Sequence, residues 1–312
     1  MLFLSESEVQ RLIDFDGAIE AVERAFRDLA TGLAANLPRH RVRSESSLLH
    51  LMGAASRSSG LLAYKAYATT RSASTFHVGV YSADTAQPLA LLEADWLGRV
   101  RTGAASAVAT RHMARKDARV LGVIGAGKQA ETQILAINRV RQLDAILVYC
   151  RTPERRTTFA NRLAQNHGLP VQAVDSARAA AADADILVTV TTSTTPVFQA
   201  DWIPKGCHIN AVGSNAIQRC EIDPAILERV ACLAIDSVEQ AQHEAGDLLG
   251  AIAKGTLSWD NVVPLELIVA GQHPGRTSDD DITLFESLGI GLEDLAVAEL
   301  VLRRWHETLA RD

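Results

Sequence analysis

Basic residues stand at several places where charge is out of keeping with its surroundings. Lys65 lies inside the otherwise apolar run Leu61-Leu-Ala-Tyr-Lys-Ala-Tyr67, where an ammonium is costly to bury unless it meets a carboxylate or a carbonyl. Arg101 sits between Val100 and the small residues Thr102, Gly103, Ala104 and Ala105, as though something approached its helix closely. Arg39, Arg41 and Arg43 alternate along an extended segment, so they share one face, and either Arg39 or Arg41 could make a contact there. Two arginines and a lysine gathered at one place hold an α-carboxylate and polarise a neighbouring C=O or C=N group. The plainer alternatives are a surface lysine reaching for water and an arginine in an ordinary salt bridge.

A second constellation is Arg119-Val-Leu-Gly-Val-Ile-Gly-Ala-Gly-Lys-Gln-Ala130, which joins a buried-strand pattern to glycines and then to a helical sequence over 131–141. Gly125 and Gly127 let the backbone turn sharply, so a pyrophosphate can sit against the free N–H groups of the helix that follows. Ala130 replaces the usual third glycine, which the tolerant form of the fingerprint allows. The next strand ends at Val148-Tyr-Cys-Arg-Thr-Pro153, where an acidic residue favours NAD and an arginine accommodates the 2′-phosphate of NADP. Cys150 and Arg151 occupy that place, with Thr152, Arg155 and Arg156 close behind. The pattern favours NADP(H), with NAD(H) as the alternative; the plainer reading is a solvated basic helix start.

These residues need elements to position them. Ile19, Val22, Phe26 and Leu29 recur at helical spacing, which predicts an amphipathic helix over 16–32. Strand-like stretches at 48–52, 61–68, 76–81 and 88–93 lie too close together for helices to intervene, which argues antiparallel pairing. A long helix is expected from about 95 to 116. From Arg119 onward strands at 145–150, 171–174, 185–191, 207–212 and 230–236 alternate with helices at 154–166, 176–183 and 224–229, the texture of a parallel, doubly wound sheet. Beyond Gln240 the chain reads as helical, broken by a polar stretch at 273–281, and a last amphipathic helix over 292–309 is expected to return to the first domain. The fold class is therefore α/β: a Rossmann doubly wound parallel sheet over 117–289, beside an α+β substrate-binding domain with a mainly antiparallel sheet over 1–116, completed by 290–312.

Composition narrows the class further. A chain of 312 residues, 47% hydrophobic, can bury a large core, and its length suggests two domains. No apolar run approaches the ~18 residues of a membrane span, and Met1-Leu-Phe-Leu-Ser-Glu lacks the charged and apolar regions of an export signal. Cys150, Cys207, Cys220 and Cys232 show no CxxC spacing, so they read as reduced thiols and no metal site is expected. The net charge of −6, with both signs interspersed, leaves no footprint for nucleic acid. A cytoplasmic protein is expected. His77, His243 and His273 could donate protons, although loop histidines are commonly just solvated.

Taken together, these residues resemble the ornithine cyclodeaminase/mu-crystallin family. The resemblance spans nearly the whole chain: Pro38-Arg39, Leu51-Met52, Lys65, Arg101-Thr-Gly-Ala-Ala105, Gly125-Ala-Gly-Lys-Gln-Ala130, Asn210-Ala-Val-Gly213, Glu244-Ala-Gly-Asp-Leu248 and Thr283-Leu-Phe-Glu-Ser-Leu-Gly-Ile290. It implies that Arg39 (or Arg41), Lys65 and Arg101 bind the substrate carboxylate, with Lys65 nearest the reacting carbon and Leu288 beside the substrate. On the cofactor side it implies Thr102, a pyrophosphate over Gly125, Gly127, Lys128 and Gln129, a groove lined by Thr191, Asn210, Ala211 and Val212, and Ser287 toward the nicotinamide. It also implies a homodimer formed through the sheet of the substrate domain.

Family resemblance leaves the reaction open among ornithine cyclodeaminases, alanine dehydrogenases and reductases of ketimines or pyrroline-2-carboxylate, all transferring hydride at an α-carbon that bears nitrogen and a carboxylate. The cyclodeaminases carry a catalytic aspartate where this chain has Asn215, and an asparagine cannot exchange a proton at neutral pH. Cys150 replaces their acidic ribose ligand, and His50 stands in place of a glutamate. The expectation is a reductase of a preformed cyclic ketimine or imino acid, with ornithine cyclodeamination and a non-catalytic NADPH-binding protein as the rival readings.

Overall fold

The computed structural model describes residues 1–310. The chain begins with β1 (Leu2–Leu4), α1 (Glu6–Leu12), α2 (Phe15–Ala30), β2 (Ala34–Arg43), β3 (Leu48–Ser56), β4 (Leu61–Thr69), β5 (Ser74–Ser82), β6 (Pro88–Glu93) and α3 (Asp95–Met113). There follow β7 (Val120–Ile124), α4 (Lys128–Val140), β8 (Ala145–Tyr149), α5 (Pro153–His167), β9 (Val171–Ala173), α6 (Ala177–Ala181), β10 (Ile186–Thr189), β11 (His208–Ala211) and β12 (Val230–Ile235). The remainder is α7 (Val238–Glu244), α8 (Gly246–Ala253), β13 (Val262–Pro264), α9 (Leu265–Val269), β14 (Ile282–Glu286) and α10 (Gly291–Leu309). Two compact units result, one of Met1–Ala105 with the residues from Gly289 on, the other of Ser106–Leu288. The division falls inside α3, not near residue 116, because sequence texture registers changes of element type and is blind to a division within one helix.

The first unit is built on a sheet in the order β1-β6-β5-β4-β3-β2. Every pairing is antiparallel except that of β1 with β6. Asp14 caps α2 by accepting the Gly17 N–H at 2.7 Å, and α2 buries Ala18, Ile19, Val22, Ala25 and Phe26 on one face. α10 packs along α2 and across β2, β3, β4 and β5, covering one face of the sheet. The opposite face exposes Leu37, Val42, Leu49, Leu51, Leu62 and Tyr64, which the strand register places side by side.

The second unit is an all-parallel sheet in the order β13-β12-β14-β11-β10-β7-β8-β9. Strand order reverses at β7, with β8 on one side and β10 on the other, and such a switch point opens a crevice at the carboxyl ends of the strands. Residues 262–264 and 282–286 are strands, where the sequence pattern reads as helical. Each of Ile282–Glu286 is buried, and an apolar run this short has no period that tells a doubly covered parallel strand from a turn of buried helix. Among the described residues no helix is long and apolar enough to cross a membrane.

Candidate active site

Lys65 occupies the middle of β4, between Met52 on β3 and Val78 on β5, and is only 3% exposed. Its Nζ donates to Asp294 Oδ1 at 2.7 Å. On α3, Gly98 makes room for the ammonium, since a Cβ there would stand 3.0 Å from Nζ. Arg101, further along α3, donates through Nε to the same Asp294 oxygen at 3.2 Å and through Nη1 to Glu293 Oε2 at 2.7 Å. Arg39 enters from a bulge where the register of β2 against β3 slips between Leu37 and His40. Its Nη2 donates to the Gly289 carbonyl at 2.9 Å. Gly289 adopts a left-handed φ of 75°, and a side chain there would collide with the Arg101 guanidinium.

An aromatic wall stands beside these charges. The His50 and Tyr67 rings stack at 4.1 Å, the Tyr67 and Phe76 rings lie 5.1 Å apart, and Lys65 Nζ is 5.8 Å from both the Tyr67 and Phe76 centroids. Burial pushes the Lys65 ammonium down to about 8, with Asp294 opposing the shift and Arg101 and Arg39 adding to it. Burial also works against charge on Arg101, but Asp294 and Glu293 outweigh it and hold its pKa above the usual value. Burial lifts Glu293 to about 7 against the pull of Arg101. His50, buried and facing Arg41 and Arg39, falls to about 4 and is a neutral imidazole at pH 7. The site thus combines fixed cations with a lysine able to release a proton at mild pH.

In the parallel-sheet unit, β7 runs into Gly125, whose φ is 131° and whose Cβ would meet the Val190 carbonyl at 2.5 Å. Gly127 caps α4 without a side-chain hydrogen bond, and a Cβ there would find nothing nearer than Arg155 Nη2 at 3.9 Å. There is thus space beside Gly127 at the N-terminus of α4, the end of a helix whose first-turn N–H groups are the donors a pyrophosphate needs. Lys128 is exposed and Gln129 half-buried at this turn. Thr191 follows β10, Ala211 and Val212 close β11, and Ser287 and Leu288 follow β14, all at carboxyl ends of parallel strands.

Of the residues singled out in the sequence, Arg39, Lys65 and Arg101 are brought together in one unit. Arg41 shares their face opposite His50 but is exposed. Thr102 spends its hydroxyl on the Gly98 carbonyl at 2.7 Å. Arg151 and Thr152 are exposed at the end of β8. Arg156 does not join them: it is buried, donating to the Cys150 carbonyl at 3.2 Å and to Asp175 at 2.6 Å. Asn210 is wholly buried in β11, with its Nδ2 on Thr110 Oγ1 at 3.1 Å, and Asn215 accepts from Arg219 at 3.1 Å. Sequence reasoning missed Glu293 and Asp294, both 1% exposed. Their signal was present: two adjacent acids in the otherwise apolar helix start Gly289-Ile-Gly-Leu-Glu-Asp-Leu295 require buried cationic partners.

The sequence model of the ornithine cyclodeaminase/mu-crystallin family matches residues 1–309. Among solved structures, the Thermococcus litoralis Delta(1)-pyrroline-2-carboxylate reductase in complex with NADH and L-proline is 34% identical, with a TM-score of 0.94 over 99% of this chain and 98% of that one. An archaeal alanine dehydrogenase, a dimer with bound NAD, is 31% identical, with a TM-score of 0.92 over 99% and 97% of the two chains. The Paracoccus denitrificans iminosuccinate reductase in complex with NAD+ is 32% identical, with a TM-score of 0.93 over 99% and 97%.

Proposed function

The chain belongs to the ornithine cyclodeaminase/mu-crystallin family, and within it we propose that the protein is an NAD(P)H-dependent reductase of a small α-imino acid, of the cyclic ketimine or pyrroline-2-carboxylate type. The observation that carries this reading is the buried Lys65, held 2.7 Å from Asp294 in company with Arg39 and Arg101. Arg39 and Arg101 bind the substrate carboxylate, and Lys65 steadies the polarised C=N group and supplies the proton that its nitrogen takes up. The glycine turn at Gly125, Gly127 and the start of α4 holds the dinucleotide pyrophosphate. When bound, the reduced nicotinamide supplies the hydride that the imine carbon accepts.

The surroundings of Lys65 bear on the substrate. The stacked rings of His50, Tyr67 and Phe76 suit a flat, uncharged ring, and a neutral His50 carries no negative charge to balance the distal ammonium of ornithine. Asn215 supplies no exchangeable proton. Both features favour a preformed imine over ornithine. Arg151 and Thr152 select NADP(H), with no carboxylate at residue 150 to hold a free ribose. The apolar outer face of the first sheet pairs two copies of the chain, in keeping with the dimeric archaeal relative. A cytoplasmic location belongs with this reading, because the reductant is an intracellular pool.

The deciding experiment follows absorbance at 340 nm with NADPH and separately NADH, against pyrroline-2-carboxylate, piperideine-2-carboxylate and pyruvate plus an amine. Ornithine with NAD and an ammonia readout runs alongside. Imine-dependent oxidation of the nucleotide is expected. Ammonia release from ornithine with no net change in nucleotide would overturn the reading.

A further inference from the structure

Glu221 lies wholly buried in the loop that follows β11, and the reaction proposed above gives it no task. Its carboxylate accepts two backbone N–H groups, that of Thr191 on one oxygen and that of Gly213 on the other at 2.7 Å. Thr191 follows β10 and Gly213 follows β11, and these strands are neighbours in the sheet. One side chain therefore ties the carboxyl ends of two adjacent parallel strands. The fit depends on Gly213, where a Cβ would stand 2.5 Å from the Glu221 carboxyl carbon. Glu221 is itself clamped: its N–H and that of Ile222 donate to Asp247 Oδ1 at 2.6 and 3.0 Å, and its carbonyl accepts the Val197 N–H at 2.8 Å.

We infer that Glu221 is a positioning residue for the dinucleotide: as a carboxylate it locks the backbone after β10 and β11 into the shape the nucleotide requires, and as a neutral acid it releases one of the two. The inference rests on the nicotinamide dependence proposed above. An ionised carboxylate can take one N–H on each oxygen, and such charge-assisted bonds are the stronger kind. Protonation turns one oxygen into a donor facing an N–H, so one of the two bonds is lost. Burial lifts Glu221 from 4.5 to about 7, against the lowering by its bonds to Thr191 and Gly213 and with Asp247 adding to the rise. The groups around it are acidic as well. Glu286 at the end of β14 is held well above its ordinary value by burial, then by Asp247, Glu221 and Asp236, and neither of its carboxyl oxygens has a hydrogen-bond partner among the described residues. Asp247 on α8 is raised by burial, and so is the Cys220 thiol. The nearby Arg219 spends its guanidinium on the Gly213 carbonyl and on Asn215, both at 3.1 Å, and among the described residues no cation pairs with the Glu221 carboxylate itself, so the lock closes above about pH 7 and opens below it.

The test needs no turnover. Dissociation constants of NADH and NADPH are measured by fluorescence on the full-length protein between pH 6 and 8.5, for the wild type and for Glu221→Gln. If only the ionised form is competent, wild-type affinity is about tenfold weaker at pH 6 than at pH 8. Glu221→Gln should bind about tenfold more weakly than wild type at pH 8 and show no pH step, since its amide can accept only one of the two N–H groups. Wild-type affinity at pH 8 in the variant, or a wild type that binds without a step, overturns the inference alone. A wild type that binds neither nucleotide at any pH overturns the nicotinamide reading and this inference with it. Should Glu221→Gln fail to fold, hydrogen exchange at the Thr191 and Gly213 amides of the wild type decides. Protection, corrected for intrinsic rates, should fall from pH 8 to pH 6, and equal protection refutes the lock.

Discussion

Replacing Lys65 with Met separates the chemistry of the site from the stability of the fold. Met matches the lysine stem in length and carries no charge. The site moves the lysine pKa from 10.5 to about 8, and at ~1.4 kcal/mol per unit a charged Lys65 costs the folded protein about 3 kcal/mol at neutral pH, even with Asp294 in place. Lys65→Met is therefore expected to abolish turnover while leaving stability unchanged or raising it by as much as ~3 kcal/mol. The gain is reduced by what Asp294 loses with one of its cations, though Arg101 Nε still reaches the same oxygen at 3.2 Å. Because the folded pKa lies below the unfolded one, the cost is complete below about pH 8 and disappears as pH rises past about 10.5. The variant's advantage should accordingly be full at pH 7 and shrink by pH 9.5, read from urea denaturation of both proteins at the two pH values. A variant more than ~1 kcal/mol less stable than wild type at pH 7, or a difference indifferent to pH, would show that Lys65 and Asp294 form a stabilising structural pair and refute the reasoning.

Arg101→Met should behave in the opposite way, losing about 3–5 kcal/mol by urea denaturation, because Glu293 would lose its ion pair and Asp294 would keep that with Lys65 alone among the described residues; a loss below ~1 kcal/mol would count against the buried network. Arg151→Ala is expected to raise the KM for NADPH about tenfold or more and leave that for NADH unchanged, and equal effects on the two nucleotides would remove Arg151 as the phosphate selector. Placing glutamates at Leu51 and Leu62 on the exposed sheet face should convert the proposed dimer to a monomer in sedimentation velocity, whereas an unchanged dimer would locate the contact elsewhere and a wild type that is already monomeric would refute the pairing.

Much of this architecture was legible because its signals are local. Gly125 and Gly127 between an apolar strand and a helix, and strands alternating with helices, are patterns within a dozen residues that announce a nucleotide-binding parallel sheet from sequence alone. So is the anomaly of Lys65, since a lysine amid apolar strand residues demands a partner whatever the fold. The identity of that partner was not legible. Asp294 lies 229 residues further on, and no periodicity connects a strand with a helix at the other end of the chain. The choice of Arg39 over Arg41 for the buried place was decided by a bulge in β2, a feature of strand pairing that alternation cannot register. Arg156 looked like a companion to Arg151 by spacing and was drawn instead to Asp175. Glu221 drew no notice because its partners are backbone N–H groups, which every residue but proline carries and only the folded chain brings into line. Local pattern in the sequence carries the fold class, the glycine turn after β7 and the out-of-place basic residues; which charges meet is set by the folded chain, because buried ions select their partners by proximity in space.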